Sequence, residues 1–401
     1  MDDRLTSDRV ADVQDATPFH LLYEFYRLSG YERRRHEPGV LDFTFGDPHD
    51  PPSSAYVEIL RDSLIPQHEL WFAYNFGDAT AIAAATEALR RHVGIPFETA
   101  DVHLTTGGFA AISTALKIVG DAGDEVVYSL PPWFLYEGLI REAGLLPVKV
   151  SIDRTTFDLD LDAIAAAITP RTRIVIVNSP NNPTGRIYPV STLERLAALL
   201  DEASTRNGRR IFLISDEAYN RIVFDGTRFR SPVEFYPWSF LAYSYGKTLL
   251  SPGERIGYLA VPPTMPDREP LRDAIEAIQI TGGWLFPNAS MQYALPRLET
   301  LEFDIPLFQR KRDVMVAGLR EIGYRVTVPE ATFYLFPESP IADDAAFAAA
   351  LDREGVLVLP GRMFETPGFF RICLTATMET IEASLPRFAA AFRAAGAPGT
   401  G

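Results

Sequence analysis

The sequence predicts an α/β fold in which a large domain with a mostly parallel sheet is joined to a smaller α+β domain. From about residue 55 onward, helical and strand-like segments alternate, which is typical of a wound α/β domain. Two runs, Ile174–Val177 and Ile211–Ile214, are apolar without alternation, as expected of strands covered on both faces. After about residue 322 the segments become shorter, which indicates a second, smaller domain.

Each element of the large domain follows from its hydrophobic period and from the glycine, proline and polar residues that bound it. The helical patterns span 79–93, 109–120, 133–144 and 190–206. The strand patterns span Val102–Thr106, Glu125–Leu130, Arg173–Ser179, Arg210–Asp216, Phe240–Tyr245 and Gly257–Val261. Because Ile174–Val177 and Ile211–Ile214 lie in two of these strands, we expect those two to be central in the sheet.

The small domain is predicted from a change in pattern near the C-terminal end. A helical stretch over 288–322, interrupted by Pro296 and Pro306, leads into it. Its strand patterns span Tyr324–Val328, Thr332–Phe336, Val356–Leu359 and Phe369–Leu374, and its helices lie near 343–354 and 377–395. We therefore divide the chain into a large domain, 53–295, and a small domain built from 1–52 and 296–401. The first 52 residues contain no comparable core, so we expect them to pack with the C-terminal part.

The composition argues against several classes of protein. A formal net charge of −15 disfavours nucleic acid and anionic membranes as partners. No apolar run approaches the roughly 20 residues of a membrane-spanning helix. Cys373 is the single cysteine and the six histidines have no ligand spacing, so we expect neither a disulfide nor a metal site. Since the N-terminus also lacks a signal-peptide pattern, we expect a cytoplasmic protein.

Lys247 is the most informative of the four lysines in the chain. It stands in Ser244–Thr248, directly after a predicted strand, where open α/β sheets bind their ligands. An amine desolvated beside other cations can lose its proton and attack an aldehyde, whereas arginine cannot. The Gly-Lys-Thr tripeptide also fits the end of a nucleotide P-loop, but Leu241 occupies the position where that motif requires glycine. The nucleotide interpretation therefore fails.

Three polar residues at the ends of other strands complement this lysine. Asp216 ends an apolar strand, where a buried carboxylate could keep a pyridine nitrogen protonated, although a lone aspartate there more often caps a turn. Tyr219 and the amide of Asn182 could both donate to the ionised phenolic oxygen of such a ring. Taken singly, the tyrosine would be a packing residue, and Asn182–Gly185 would be a turn.

A phosphate site is predicted where Gly107, Gly108 and Phe109 open a helix after a strand. Free N–H groups and the positive end of the helix dipole attract a phosphate there. The glycine pair is weak evidence by itself, but Ser244 and Arg255 add a hydroxyl donor and a bidentate guanidinium.

Trp133, which follows another predicted strand, provides a flat face on which a pyridine ring could stack. Its alternative role is ordinary core packing.

Taken in order, these motifs resemble those of the class I and II aminotransferases, in the aspartate aminotransferase-like branch of the fold-type I pyridoxal-phosphate enzymes. The resemblance covers nearly the whole chain. Its segments are Phe45–Pro48, Tyr74, Gly107–Gly108, Trp133, Asn182–Gly185, Asp216, Tyr219, Ser244, Lys247, Arg255, Pro360–Gly361 and Phe370–Ile372. Each segment is modest, but the ordered set is highly specific. It implies a seven-stranded type of sheet in the large domain and pyridoxal 5′-phosphate as cofactor.

The resemblance also implies roles for individual residues. Lys247 would bind the aldehyde of the cofactor and later move the proton at the substrate Cα. Arg371 would hold the substrate α-carboxylate with two parallel hydrogen bonds, and Gly46 and Asn182 would also contact the substrate. Tyr74 would reach the phosphate in the neighbouring subunit, so a homodimer is implied.

The implied activity is the transfer of an amino group between an α-amino acid and a 2-oxo acid. A lyase, decarboxylase, cyclase or oxidase using the same cofactor is the alternative, since substrate pose decides which bond breaks. Two departures from the family pattern leave room for it: Gly246 stands where serine or threonine is frequent, and the stretch 282–286 is apolar. A third departure, Ala331 in place of glycine, implies a different turn in the small domain. No second arginine for a dicarboxylate is evident, so strict aspartate specificity is not expected.

Overall fold

The fold is described from a computed structural model that covers residues 5–396. Its strands, in chain order, are β1 Leu41–Asp42, β2 Val102–Thr105, β3 Glu125–Leu130, β4 Leu146–Ser151, β5 Thr172–Asn178, β6 Phe212–Asp216, β7 Ser239–Ser244, β8 Gly257–Ala260, β9 Tyr334–Leu335, β10 Val356–Leu357, β11 Leu359–Pro360 and β12 Phe370–Cys373. Its helices are α1 Asp8–Gln14, α2 Thr17–Leu28, α3 Tyr31–Arg34, α4 Ser54–Ser63, α5 Ala79–Val93, α6 Gly108–Val119, α7 Tyr136–Glu142, α8 Leu161–Ala167, α9 Val190–Asn207, α10 Tyr245–Thr248, α11 Glu269–Thr281, α12 Ala289–Leu298, α13 Ile305–Ile322, α14 Asp344–Arg353 and α15 Met378–Ala394.

Within the described residues the large domain contains one seven-stranded sheet, in the order β2-β8-β7-β6-β5-β3-β4. β8 runs antiparallel to both of its neighbours, and the remaining pairs are parallel. The predicted α/β fold with a mostly parallel sheet is therefore confirmed. β5 and β6 are central, and Ile174–Val177 is buried throughout, as its unbroken apolar run indicates.

The structure contains two strands that were not predicted, β1 and β4, and lacks one that was. β4 was not predicted, because Pro147 and the exposed Lys149 interrupt its apolar pattern; an edge strand that pairs on one side only tolerates both. The predicted strand Tyr324–Val328 is wrong, since this segment has no ladder partner in the described structure. Tyr324 instead buries its ring in the core of the small domain, and its hydroxyl donates to the carbonyl of Phe388.

The small domain packs helices α13, α14 and α15 against two short sheets. β12 lies between β11 and β9 in an antiparallel sheet, and β1 pairs with β10. The N-terminal segment is shared between the domains: Phe43 lies in the small-domain core, whereas α1 and α2 contact α7 of the large domain. The boundaries at 53 and 295 remain our interpretation.

The sheet places several polar residues at one edge. β5 ends at Asn178, which lies opposite Asp216 at the end of β6, and β7 ends at Ser244 on the other side of β6. Carboxyl ends of parallel strands meet at the same edge, so their side chains converge.

Among the described residues no helix is both long and apolar enough to cross a membrane.

Candidate active site

A cavity of about 230 Å³ lies between this edge of the sheet and the small domain. It brings together most of the predicted site residues, namely Gly46, Gly108, Phe109, Trp133, Asn182, Asp216, Tyr219, Ser244, Lys247, Arg255 and Arg371. Gly107 is not among the lining residues, but a Cβ on it would meet the guanidinium of Arg255, which is. Tyr74 is not part of it, because its side chain is 88% exposed on the outer surface. Within residues 5–396 no group of histidine, cysteine and carboxylate side chains could hold a metal ion.

Lys247 projects into this cavity from α10, the short helix that follows β7. Its pKa is lowered from the usual value of 10.5 to about 8, chiefly because the cavity wall shields the amine from water. The guanidinium groups of Arg371 and Arg255 lower it further, whereas Asp216 and Cys373 act in the opposite direction. A substantial fraction of the amine is therefore neutral, and hence nucleophilic, near pH 8.

Asp216, at the end of β6, is buried and also lines the cavity. Its carboxylate accepts a hydrogen bond of 2.5 Å from the hydroxyl of Tyr136 and another from the backbone N–H of Ala218. Burial raises the pKa of this carboxyl, and the Tyr136 hydrogen bond opposes that shift. A cationic ring nitrogen beside Asp216 would stabilise its charged form.

An anion site is built where α6 begins. A Cβ on Gly107 would lie 2.9 Å from the guanidinium of Arg255, and a Cβ on Gly108 would lie 3.4 Å from the Cβ of Ser244. Gly107 also has a φ of 87°, which favours glycine. The absence of side chains leaves the first N–H groups of the helix open beside a hydroxyl and a guanidinium, which is the chemistry a phosphate requires.

Arg371 is fully buried on β12, 189 residues from its partner Asn182. Its Nη1 donates to Asn182 Oδ1 at 3.0 Å and its Nη2 donates to the carbonyl of Thr44 at 2.8 Å. The Nε has no partner in the described structure. Because Arg371 lines the cavity and its guanidinium is held by two hydrogen bonds, it is positioned to meet a carboxylate of a ligand there.

Two aromatic residues complete the walls of the cavity. Trp133 packs edge-on against Phe109, with ring centroids 4.5 Å apart, so its position is fixed. The hydroxyl of Tyr219 donates to that of Tyr334 at 3.2 Å, and the amine of Lys247 lies 5.8 Å from the centroid of the Tyr219 ring. A flat ligand above Asp216 would therefore meet a ring, a hydroxyl and an amine.

Comparison with known proteins identifies the family. The model of the class I and II aminotransferases matches residues 38–388 of the chain. This chain belongs to the class I and II aminotransferase family. The aspartate/prephenate aminotransferase of Thermus thermophilus is 31% identical over 372 residues, which cover 89% of this chain and 92% of that protein.

Solved structures agree with this assignment. An aminotransferase from Eubacterium rectale, 29% identical, has a TM-score of 0.88 and covers 98% of this chain and 99% of its own. The aspartate aminotransferase of Thermus thermophilus with maleate, 27% identical, has a TM-score of 0.84 and covers 97% and 100%. The predicted fold type, the cofactor pyridoxal phosphate and amino-group transfer between an α-amino acid and a 2-oxo acid are confirmed. The alternative reactions are not favoured.

The aminotransferase cavity fits a phosphorylated pyridine aldehyde. Its glycine pair and Arg255 suit the phosphate, since Arg255 donates only to the carbonyl of Pro252 among the described residues. Asp216 suits a protonated ring nitrogen, and Lys247 provides an amine with a lowered pKa for the aldehyde. The three groups lie in one cavity, so a single ligand can contact them all.

Several residues that line or support the aminotransferase site were not predicted to do so, among them Tyr136, Tyr334 and Tyr26. Tyr136 follows Trp133 by three residues, and that proximity was the available signal. Tyr334 lies in the predicted strand Thr332–Phe336, which was given no part in the site. Tyr26 lines the cavity from the N-terminal segment, beside Phe45 of the Phe45–Pro48 motif. Their hydrogen bonds and ring contacts join residues far apart in the chain, which periodicity does not reveal.

The lowered pKa of Lys247 predicts how the apoenzyme takes up its cofactor. The neutral amine is the reactive form, so the rate of covalent attachment should rise through pH 8 and level off above it. At pH 7 the rate should be about one tenth of its plateau. Stopped-flow measurement of the visible band of the bound cofactor between pH 7 and pH 10 tests this. A rate that keeps rising to pH 10 would contradict the expected shielding.

Proposed function

We propose that this aminotransferase acts on α-amino acids with neutral, largely apolar or aromatic side chains, using the residue roles set out below. The observation that supports it most is the buried Arg371, which lines the same cavity as Lys247 and leaves the described lining no further cation outside the proposed cofactor site. A guanidinium with a free donor can bind an α-carboxylate there and hold the Cα within reach of that amine.

The roles of the cofactor-binding residues follow from their chemistry. When bound, pyridoxal phosphate supplies an aldehyde that receives the amino group and a ring that accepts electrons. Gly107, Gly108, Ser244 and Arg255 hold its phosphate through N–H, hydroxyl and guanidinium donors.

The ring is held by a second set of residues. Asp216 binds the ring nitrogen and keeps it protonated, and Trp133 and Phe109 pack beside the ring. Asn182 and Tyr219 donate to the phenolic oxygen; Asn182 can do so through its Nδ2 because its Oδ1 accepts from Arg371.

Lys247 performs the proton transfer. As a neutral amine its Nζ would take the proton from the substrate Cα and hold it for the second half of the transfer. Its lowered pKa suits this role, because a base titrating near 8 is neutral often enough to accept a proton and basic enough to hold it. Arg371 contributes by fixing which Cα bond faces this amine.

The substrate preference follows from the part of the cavity wall that has no role in binding the cofactor or the α-carboxylate. Among the described lining residues the cations are Lys247, Arg255 and Arg371, and each has a role above. Phe45 and Tyr26 stack on each other at 5.0 Å beside the remaining space, and the carboxylate of Asp47 also lines it. Asp47 is paired with Arg35 at 3.4 Å, so this part of the described wall offers no unpaired cation to a second substrate carboxylate, whereas an apolar ring would be accommodated.

A panel of amino acids tests this proposal. The half-reaction of the holoenzyme with phenylalanine, tyrosine or leucine should have a kcat/KM at least about tenfold above that with aspartate. A 2-oxo acid should restore the original spectrum, as amino-group transfer requires.

The matched variant is Arg371→Lys, which keeps the positive charge but cannot donate two parallel hydrogen bonds to a carboxylate. It should lower kcat/KM for every amino acid by roughly 10- to 100-fold. A preference for aspartate would contradict the substrate class, and release of ammonia without reversal would contradict transfer.

We also propose a homodimer in which Tyr74 reaches the phosphate of the neighbouring site. The segment 64–76 exposes several large apolar side chains: Leu64, Ile65, Leu70, Phe72, Tyr74 and Phe76. Contiguous exposed apolar surface of this kind marks an interface.

We place the protein in the cytoplasm on its composition, and recovery from another cell fraction would contradict that.

Tyr74→Phe tests the dimer together with the role of its tyrosine. Although Tyr74 lies outside the cavity of its own chain, the variant should weaken cofactor binding by roughly 5- to 20-fold, because a phosphate loses one donor. Tyr23→Phe, on another exposed tyrosine, is the control and should change nothing. A monomer in sedimentation velocity, or equal affinity in both variants, would contradict the proposal.

A further inference from the structure

We propose that Tyr334 is a positioning residue that sets the direction of the Tyr219 hydrogen bond and supports the guanidinium of Arg371. The inference rests on the proposed function, because it uses the roles given there to Tyr219 and Arg371. Tyr334 lies in β9 and is buried at the cavity wall.

Tyr334 contacts both residues in the structure. Its hydroxyl lies 3.2 Å from the hydroxyl of Tyr219, and the two rings are 5.7 Å apart at an angle of 73°. The Cζ of Arg371 lies 4.2 Å from the centroid of the Tyr334 ring, within the range of a cation–π interaction. The side chain of Tyr334 thus connects Tyr219, the proposed hydrogen-bond donor to the cofactor, with Arg371, the proposed binding residue for the substrate carboxylate.

Gly46 leaves the room that this hydroxyl occupies. A Cβ built on Gly46 would lie 2.8 Å from the Tyr334 hydroxyl oxygen and 3.1 Å from the ring of Phe333, and both approaches are too close. A glycine at position 46 therefore keeps the Tyr334 hydroxyl where it meets Tyr219. The space needed by the Tyr334 hydroxyl explains why residue 46, in the Phe45–Pro48 segment, is a glycine. The φ angle of Gly46 does not by itself require glycine.

Counting protons gives the direction of the hydrogen bond. Each phenol has one proton and can also accept a hydrogen bond. In the structure Tyr219 donates to Tyr334. If Tyr219 instead donates its proton to the phenolic oxygen of the cofactor, it has none for Tyr334, and Tyr334 must become the donor between them. The resulting chain of two hydroxyls polarises the Tyr219 proton toward the cofactor and favours the ionised form of that oxygen.

Both phenols keep their protons near neutral pH, so each has one to donate. Burial raises the pKa of Tyr334 to about 12, while the nearby Arg371 lowers it. Burial raises the pKa of Tyr219 well above its usual value, and the proximity of Tyr334 raises it further.

Two substitutions separate the two tasks of this side chain. Tyr334→Phe removes the hydroxyl and keeps the ring against Arg371, whereas Tyr334→Leu removes both. The measurements use the holoenzyme: the apparent pKa of the visible absorption of the bound cofactor, and the Kd of 3-phenylpropionate, a carboxylate that carries no amino group.

In the Phe variant the apparent pKa of the visible absorption should rise by about 0.5 to 1, because the hydrogen bond from Tyr219 to the ionised phenolic oxygen of the cofactor is weakened. Its Kd for 3-phenylpropionate should stay within about twofold of the wild-type value. The Leu variant should show the same pKa change and also a Kd about 3- to 10-fold higher, from the lost stacking. If the Leu variant fails to fold, the pKa measured on the Phe variant decides alone.

Tyr324→Phe is the matched control, because it removes a buried hydroxyl from the small-domain core, where the partner is the carbonyl of Phe388. It should leave the apparent pKa and the Kd unchanged. A Phe variant with the same apparent pKa as wild type would overturn the inference about Tyr334 and leave the proposed function untouched. A wild-type protein without any visible absorption from bound cofactor would overturn the proposed function, and the inference with it.

Discussion

The site depends on one electrostatic constraint, which is that a lysine amine is kept away from water among opposing charges. Lys247 owes its lowered pKa chiefly to desolvation, with Arg371 and Arg255 acting in the same direction. Asp216 partly opposes them, yet its own carboxylate is held by the Tyr136 hydroxyl. The cavity can therefore present a reactive amine and a carboxylate together without their forming a salt bridge.

The parallel sheet makes this arrangement possible. β5, β6 and β7 end at the same edge, so Asn178, Asp216 and Ser244 meet although they are distant in sequence. The small domain then closes over this edge and brings Arg371 from β12 against Asn182. The geometry of the sheet thus decides which polar residues converge, and the small domain supplies the residue that would bind substrate.

Most of the fold and much of the site could be predicted from local patterns. The apolar run Ile174–Val177 indicated a central strand, and the glycine pair before α6 indicated an anion site. β4 could not be predicted, because partial exposure removes the apolar pattern. Tyr334 could not be predicted either, since its partner Tyr219 is 115 residues away and only tertiary packing joins them.

Covalent attachment of the cofactor to Lys247 can be tested by borohydride reduction of the holoenzyme. Reduction makes the linkage permanent, so mass spectrometry of a digest can locate it. The account predicts the added mass on the peptide that contains Lys247, and its absence from a Lys247→Ala variant treated in the same way. Added mass on Lys117, Lys149 or Lys311 instead, or unchanged labelling in the variant, would contradict the account.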